Sequence, residues 1–390
     1  MEPTTDSHHD VGVYLTVMVR KNASDLFLYT GAKPTIKGPF GFVQLGQLLT
    51  PGDTMALLQT MLPDAKMADF EDKGELDFSF SIHGVGRFRG NAFRQRGEVS
   101  IVMRYVKADI PTIDGLGLPV VLKTLVEQKN GMVVISGATG SGKSTTLAAM
   151  IDHRNSHMAG NIITLEDPIE FIHQHKKSLV AQREIGTDTA SFDAGMRAAM
   201  REAPDVILMG EIRDIVSMEY ALRFANTGQL CLSTVHANTA VSTLERMLSF
   251  FDADAQEQET KRIAQNLRAI VCQRLVPKIG GGKVAALEIL VITMRVSELI
   301  ARGDYEAIKE AMDQGRNYGM QTIDHALCDL IHAGVIDEGA AVDFANSKTQ
   351  VIQHIKYNSQ SKKLNERVDS LQLQEIEDNR TVYGADLDKF

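Results

Sequence analysis

"MVVISGATGSGKS", Met132 to Ser144, is the stretch on which the reading of this chain turns. Met132 to Ser136 is a short apolar run of the kind that forms a buried strand. The loop after it satisfies G-x-x-x-x-G-K-S from Gly137 to Ser144. Glycines let a backbone wrap around phosphate oxygens with its N–H groups pointing inward, at the positive end of a helix dipole. Lys143 is expected to reach the β- and γ-phosphates, and the Ser144 hydroxyl to bind Mg²⁺. The expected nucleotide-binding set is Gly137, Ala138, Thr139, Gly140, Ser141, Gly142, Lys143, Ser144 and Thr145, with ATP and Mg²⁺ as cofactors.

Further strands are expected at "NIITL", "VILM" and "LCLSTV", alternating with helices from Lys143, Phe192, Ile215 and Val241. This alternation predicts an α/β domain with a mostly parallel sheet. The helix from Ile215 places Ile215, Met218, Leu222 and Ala225 on one stripe and stops at Gly228, a suitable C′ residue. In "APDVILMGEIRD", Glu211 follows the strand and is the candidate for holding the Mg²⁺ shell or a water. Asp205 precedes that strand, at the wrong end to touch the metal. "TLEDPIEF" brings three carboxylates within five residues. Like charges this close raise one another's pKa unless they share a cation. Glu166 stands at the strand end, where it could orient or deprotonate an attacking water. "TGQLCLSTVHANTA" ends its strand at His236, as inert filler or as the sensor of a reacting phosphate.

The first hundred residues read as a small α+β unit. Val11, Tyr14, Leu15 and Met18 fall at helical spacing, and "DFSFSI" alternates as a half-buried strand does. "DLFLYT", "RFRGNAF" and "VSIVMRYV" are further strands, with turns at "KNAS" and "HGVG". The expected domains are 1–106, a linker over 107–119, an ATPase domain over 120–357, and a polar tail over 358–390. Five arginines, Arg87, Arg89, Arg94, Arg96 and Arg104, lie in or near the strand segment that carries Phe88 and Phe93. That interleaving alone allows single-stranded nucleic acid as a ligand.

Composition limits the alternatives. The formal charge of −9 over 390 residues argues against a protein that coats nucleic acid. Cys231, Cys272 and Cys328 form no CxxC pair, which suits reduced cytosolic thiols and excludes a four-cysteine zinc site within this chain. No run approaches the roughly 18 apolar residues of a membrane helix. "MEPTTDSHHD" lacks the character of a signal peptide, so membrane association is expected only through a partner.

Together the motifs resemble the secretion and pilus ATPases, specifically the PilT and PilU branch that retracts type IV pili. The resemblance runs from "SDLFLYTGAKP" to "NYGMQTIDHAL". It carries the Walker A "GATGSGKS", the Asp-box "ITLEDPIE", the atypical Walker B "DVILMGEIRD" and the His-box "TGQLCLSTVHANTA" in family order. "TLAAMIDHRN", "PIEFIHQH" and "NLRAIVCQRLVP" are closer to the PilU side, and the PilT signature survives only in part as "RVSELIAR". What the resemblance implies is a PAS-like N-terminal domain, a RecA-like ATPase domain and a homohexameric ring. It also implies a paralogous PilT-type ATPase and an inner-membrane pilus platform protein as partners, with the chain cytoplasmic, peripheral at the membrane and not bound to nucleic acid. In this family Glu166 would activate water, His236 would sense the γ-phosphate or brace Glu211, and the arginines would approach nucleotide from a neighbouring subunit. The rival readings are a DotB-type secretion ATPase, a weakly hydrolysing scaffold and a nucleic-acid translocase. Gln229 stands where the family has a histidine, and glutamine cannot take on a proton's charge.

Overall fold

The computed structural model describes residues 9–106 and 109–357. The first eight residues, the first two positions of the expected linker and the expected polar tail lie outside the described residues. The chain forms two compact units. One takes the residues up to Pro111 together with Ile163–Ala198, and the other takes Thr112–Ile162 together with the residues from Ala199 onward.

In the first unit six antiparallel strands run β1 (Asp25–Tyr29), β2 (Thr35–Gly38), β3 (Gly41–Gln44), β4 (Glu75–Ile82), β5 (Gly86–Gln95) and β6 (Glu98–Val106), in spatial order β3-β2-β1-β6-β5-β4. The Val11–Arg20 helix starts where the Asp10 carboxylate accepts the Gly12 N–H at 2.7 Å, and it buries the expected Val11, Tyr14, Leu15 and Met18. These pack into one core with Leu26, Leu28, Phe70, Phe88 and Met103. Burying each such side chain contributes roughly 1.5–3 kcal/mol. β2, β3 and the two helices Asp53–Met61 and Asp64–Lys73 were not legible as elements, because their apolar residues are sparse or irregularly spaced. Gly90 makes the close pairing of β4 and β5 possible, since a Cβ there would meet the Phe78 ring at 2.3 Å.

The remaining strands are β7 (Gly131–Ser136), β8 (Gly160–Glu166), β9 (Ser178–Glu184), β10 (Val206–Met209), β11 (Leu230–Val235), β12 (Leu267–Pro277) and β13 (Lys283–Val291). In the second unit the order is β13-β12-β7-β11-β10. β10, β11, β7 and β12 are parallel neighbours, and β13 adds an antiparallel edge to β12. Every residue of β7, β10 and β11 is buried, the pattern of strands covered on both faces. Helices Lys143–His157, Ile215–Asn226 and Ala240–Leu248 follow β7, β10 and β11. In the second of these Met218, Leu222 and Ala225 are buried, whereas Ile215 is exposed in the first turn. Gly228, at φ +103, is the C′ residue of that helix.

β8 carries the chain from one unit into the other. At its start the Asn161 N–H donates to the Asp205 carboxylate at 2.7 Å, and the Asp205 N–H returns a bond to the Asn161 carbonyl at 2.9 Å. Asp205 therefore fastens strand beginnings, far from the phosphate loop. At the end of β8, inside the first unit, the Glu166 carbonyl accepts the Ile185 N–H at 3.0 Å. Among the described residues no helix is long and apolar enough to cross a membrane.

Candidate functional site

The phosphate loop sits between β7 and the Lys143–His157 helix, where Gly137, Gly140 and Gly142 take φ of +149°, +77° and +88°. A Cβ at Gly137 would lie 2.5 Å from the Gln273 carbonyl and 2.6 Å from Ser141 Oγ. One at Gly142 would lie 2.8 Å from Gln273 Nε2. Two of the three glycines are thus demanded by space as well as by backbone conformation. Gln273 is one of the residues that the sequence does not mark. It is buried on β12, donates to the Ser141 carbonyl at 2.8 Å and accepts from the Thr146 hydroxyl at 2.7 Å. Its signal in the sequence is weak, a glutamine beside Arg274 at the end of the apolar run Ala269–Cys272.

Several groups of the loop fit a bound polyphosphate and its cation. Ser141 Oγ is buried with no hydrogen-bond partner among the described residues. The exposed Ser144 lies in the first turn of the helix, at the positive end of its dipole. Lys143 Nζ donates to the Gly137 and Ala138 carbonyls at 2.9 and 3.1 Å, within the same loop. Hydroxyl, carboxylate and phosphate oxygens are the hard donors Mg²⁺ selects. A cavity of about 430 Å³ opens beside Ala138–Ser141, with Gln273, Arg274, Lys283 and Phe344 among its lining.

The parallel register aligns the strand ends. Ser136 of β7 stands opposite Val235 of β11, and Ser233 stands opposite Met209 of β10. His236 and Glu211 therefore emerge at the same end of the sheet as Gly137. His236 Nε2 and a Glu211 carboxylate oxygen are 3.4 Å apart, both partly exposed. The Ile212 N–H donates to the Thr234 carbonyl at 2.9 Å and the Thr234 hydroxyl to the Gly210 carbonyl at 2.7 Å, which holds the backbone under that pair. Downstream, Thr239 and Ser242 form a capping box, and Glu288 of β13 accepts the Ala240 N–H at 2.6 Å. Gln229 lies at the opposite end of β11. Seven residues at about 3.3 Å each put it roughly 23 Å from His236.

Glu166 lies in the first unit. The Thr164 hydroxyl donates to its Oε1 at 2.6 Å and Gln182 Nε2 to the same atom at 3.1 Å. Its pKa is raised above the ordinary carboxylate value, first by burial; the Glu170 charge adds to the rise, while the two side-chain bonds oppose it. Desolvation, rather than crowding of carboxylates, is the leading cause.

The five arginines part company. Arg87 donates to the buried Glu184 at 2.9 Å. Burial pushes the Glu184 pKa up, but bonds from the Ser79 hydroxyl and the Ile169 N–H, with the Arg87 charge, bring it below the ordinary value. Arg104 bonds Asp25 at 2.8 Å, Arg94 lies over the Phe70 ring at 5.5 Å, and Arg96 occupies the β5–β6 turn at φ +54°. Arg89, opposite Arg104 in the register, lines a cavity of about 390 Å³ with Lys66, Asp77 and Asp167. Phe88 is fully buried, so it offers no face for a base to stack on.

A model of the type II/IV secretion system protein family matches residues 85–366, most of the chain. The chain belongs to that family. Within it, PilU, a type IV pilus ATPase of Pseudomonas aeruginosa, is 42% identical over 349 residues, covering 89% of this chain and 91% of PilU. A crystal structure titled as the pilus retraction motor PilT with bound ADP aligns with a TM-score of 0.83 at 39% identity, over 88% of this chain and 99% of that one. DotB of Legionella pneumophila aligns with a TM-score of 0.76 at 26% identity, over 87% and 96%. This family member is of the PilT/PilU type, with a RecA-like ATPase fold and an N-terminal domain.

Proposed function

We propose that this chain is an ATP-hydrolysing motor of PilU type that powers retraction of type IV pili and twitching motility. The observation that carries the reading is the phosphate loop, where Gly137 and Gly142 leave no room for a Cβ and where the helix dipole and Lys143 favour a polyphosphate. The loop amides and Lys143 bind the phosphates. Ser144 and Glu211 supply oxygen ligands for Mg²⁺, which when bound neutralises charge on the transferring phosphoryl group. Glu166 takes the proton of the attacking water, and its raised pKa makes it a stronger proton acceptor than an ordinary carboxylate. His236 holds Glu211 and responds to occupancy beside it.

Arg87, Arg94 and Arg104 have partners within their own unit, so Arg89 and Arg96 are the arginines best able to serve a neighbouring subunit. Further parts of the reading are a cytoplasmic homohexamer working beside a PilT-type paralogue and an inner-membrane platform protein, with no nucleic-acid ligand. The domain limits proposed are 1–106, 107–119, 120–357 and 358–390.

Purified protein is expected to hydrolyse ATP, and Lys143→Ala to lower turnover at least 100-fold. Equal rates for both would overturn the reading. Deleting the gene is expected to abolish twitching while leaving surface pili present or in excess. Loss of secretion with normal pili would instead support a DotB-like role.

A further inference from the structure

Gln182 and Glu184 are two residues apart on β9, so both point to one face of the strand. Both reach the loop that follows Glu166. Gln182 Nε2 donates to Glu166 Oε1 at 3.1 Å and to the Phe171 carbonyl at 2.8 Å, and Gln182 Oε1 accepts the His173 N–H at 2.7 Å. The orientation of this amide is decided by its surroundings. Two acceptors face its nitrogen and one donor faces its oxygen, and a flipped amide would lose all three bonds. With both ends committed, the side chain is locked between the carboxyl of Glu166 and the backbone five and seven residues later.

Glu184 fastens the same loop at a second point by accepting the Ile169 N–H at 3.1 Å, and it is itself held by Ser79 of β4 and Arg87 of β5. β9 is therefore a clamp with two teeth. One holds the loop to the antiparallel sheet, and the other holds the carboxyl at its entrance.

We propose that Gln182 is a positioning residue for ATP hydrolysis, holding the Glu166 carboxylate in the orientation a general base needs and tying it to the 167–173 loop. This rests on the reading of Glu166 as the group that activates water. A preorganised base does not have to be reoriented at the moment of reaction, so the clamp acts on turnover rather than on nucleotide affinity. A donor to the ionised carboxylate also favours that form, against burial and the like charge of Glu170. Removing the donor has a definite sign. The carboxyl keeps its proton to higher pH, and the acid limb of the rate profile moves up.

The test uses the full chain and four variants, Gln182→Ala, the near-isosteric Gln182→Met, Gln182→Glu and Glu166→Gln. Turnover is measured across pH, with KM for ATP and the melting temperature of each. Gln182→Ala and Gln182→Met are expected to lower kcat about tenfold with KM within twofold, and to shift the acid limb to higher pH. Gln182→Glu places a second carboxyl beside Glu166 and is expected to shift it further. Rates within twofold of wild type, with an unmoved acid limb, would overturn the proposal. So would a fall in kcat that tracks a lost melting temperature with no change of pH profile. Glu166→Gln separates the two levels. If it hydrolyses ATP normally, the reading of Glu166 itself fails; if it is inactive while the Gln182 variants are normal, only the role of Gln182 fails.

Discussion

The phosphate loop and the Glu166 loop are built by opposite means. The first depends on atoms that are missing: three glycines at positive φ, two of them pressed against Gln273. The second depends on side chains that reach across the chain. Thr164 is two residues from Glu166, Gln182 is sixteen away, and Ser79 meets Glu184 across 105. A cradle of backbone amides is specified by neighbours in sequence, because each glycine acts on its own φ and ψ. A buried carboxyl needs partners that only folding supplies, since leaving it unpaired costs several kcal/mol.

The largest effect that could break this comparison is expected at Gly137. Gly137→Ala sets a Cβ against a backbone carbonyl that cannot rotate away, and it should abolish nucleotide binding, a loss above 100-fold measured by calorimetry with ATP. Gly140→Ala is the control, because its φ is also positive but nothing lies within 4 Å of the added carbon. Only the strain of about 1–2 kcal/mol remains there, or roughly tenfold. Equal losses at the two sites would mean that strain, not space, sets the loop.

Arg87→Ala probes the other construction. Glu184 is buried and Arg87 only partly exposed, so the expected loss is about 1–3 kcal/mol, discounted for solvent at the arginine. The sign with pH is fixed by the lowered pKa of Glu184. Its contribution is present above the unfolded carboxylate value, near 4.3, and is lost as pH falls through the lower folded value. The variant and wild type should therefore differ in melting temperature at pH 7 and converge in acid. A gap that persists in acid would assign the loss to packing of the arginine stem.

The smallest effect is expected at Gln229. Lying at the far end of β11 from His236, Gln229→His should change ATP turnover less than twofold. A larger change would show that the charge of a histidine there matters across the length of a strand.

Much of the second unit was legible in the sequence. The apolar strands β7, β10 and β11 and the glycine-punctuated loop announce themselves through composition alone, and so do Glu211 and His236 at the strand ends. β12 and β13 were not assigned, although Pro277 and Gly280, Gly281 and Gly282 mark the turn between them; within "LRAIVCQRLVP" and "KVAALEILV" neither run alternates strictly, so periodicity alone does not separate a strand from a buried helix. Gln182, Gln273 and Glu184 were invisible as site residues for a different reason. Nothing near them in the chain marks what they touch. The five arginines show the same limit, since one sequence cluster divides into an ion pair to β9, an ion pair to β1, a ring contact, a turn and a cavity wall.

From the sequence alone came the glycine-rich loop, the parallel α/β character and the family, because each depends on residue types at short fixed spacing. Only the tertiary structure decided that residues 163–198 form a compact unit with the N-terminal sheet and that Gln182 holds Glu166. Those contacts join strands distant along the chain, and their energy comes from satisfying buried polar groups, which no local pattern records.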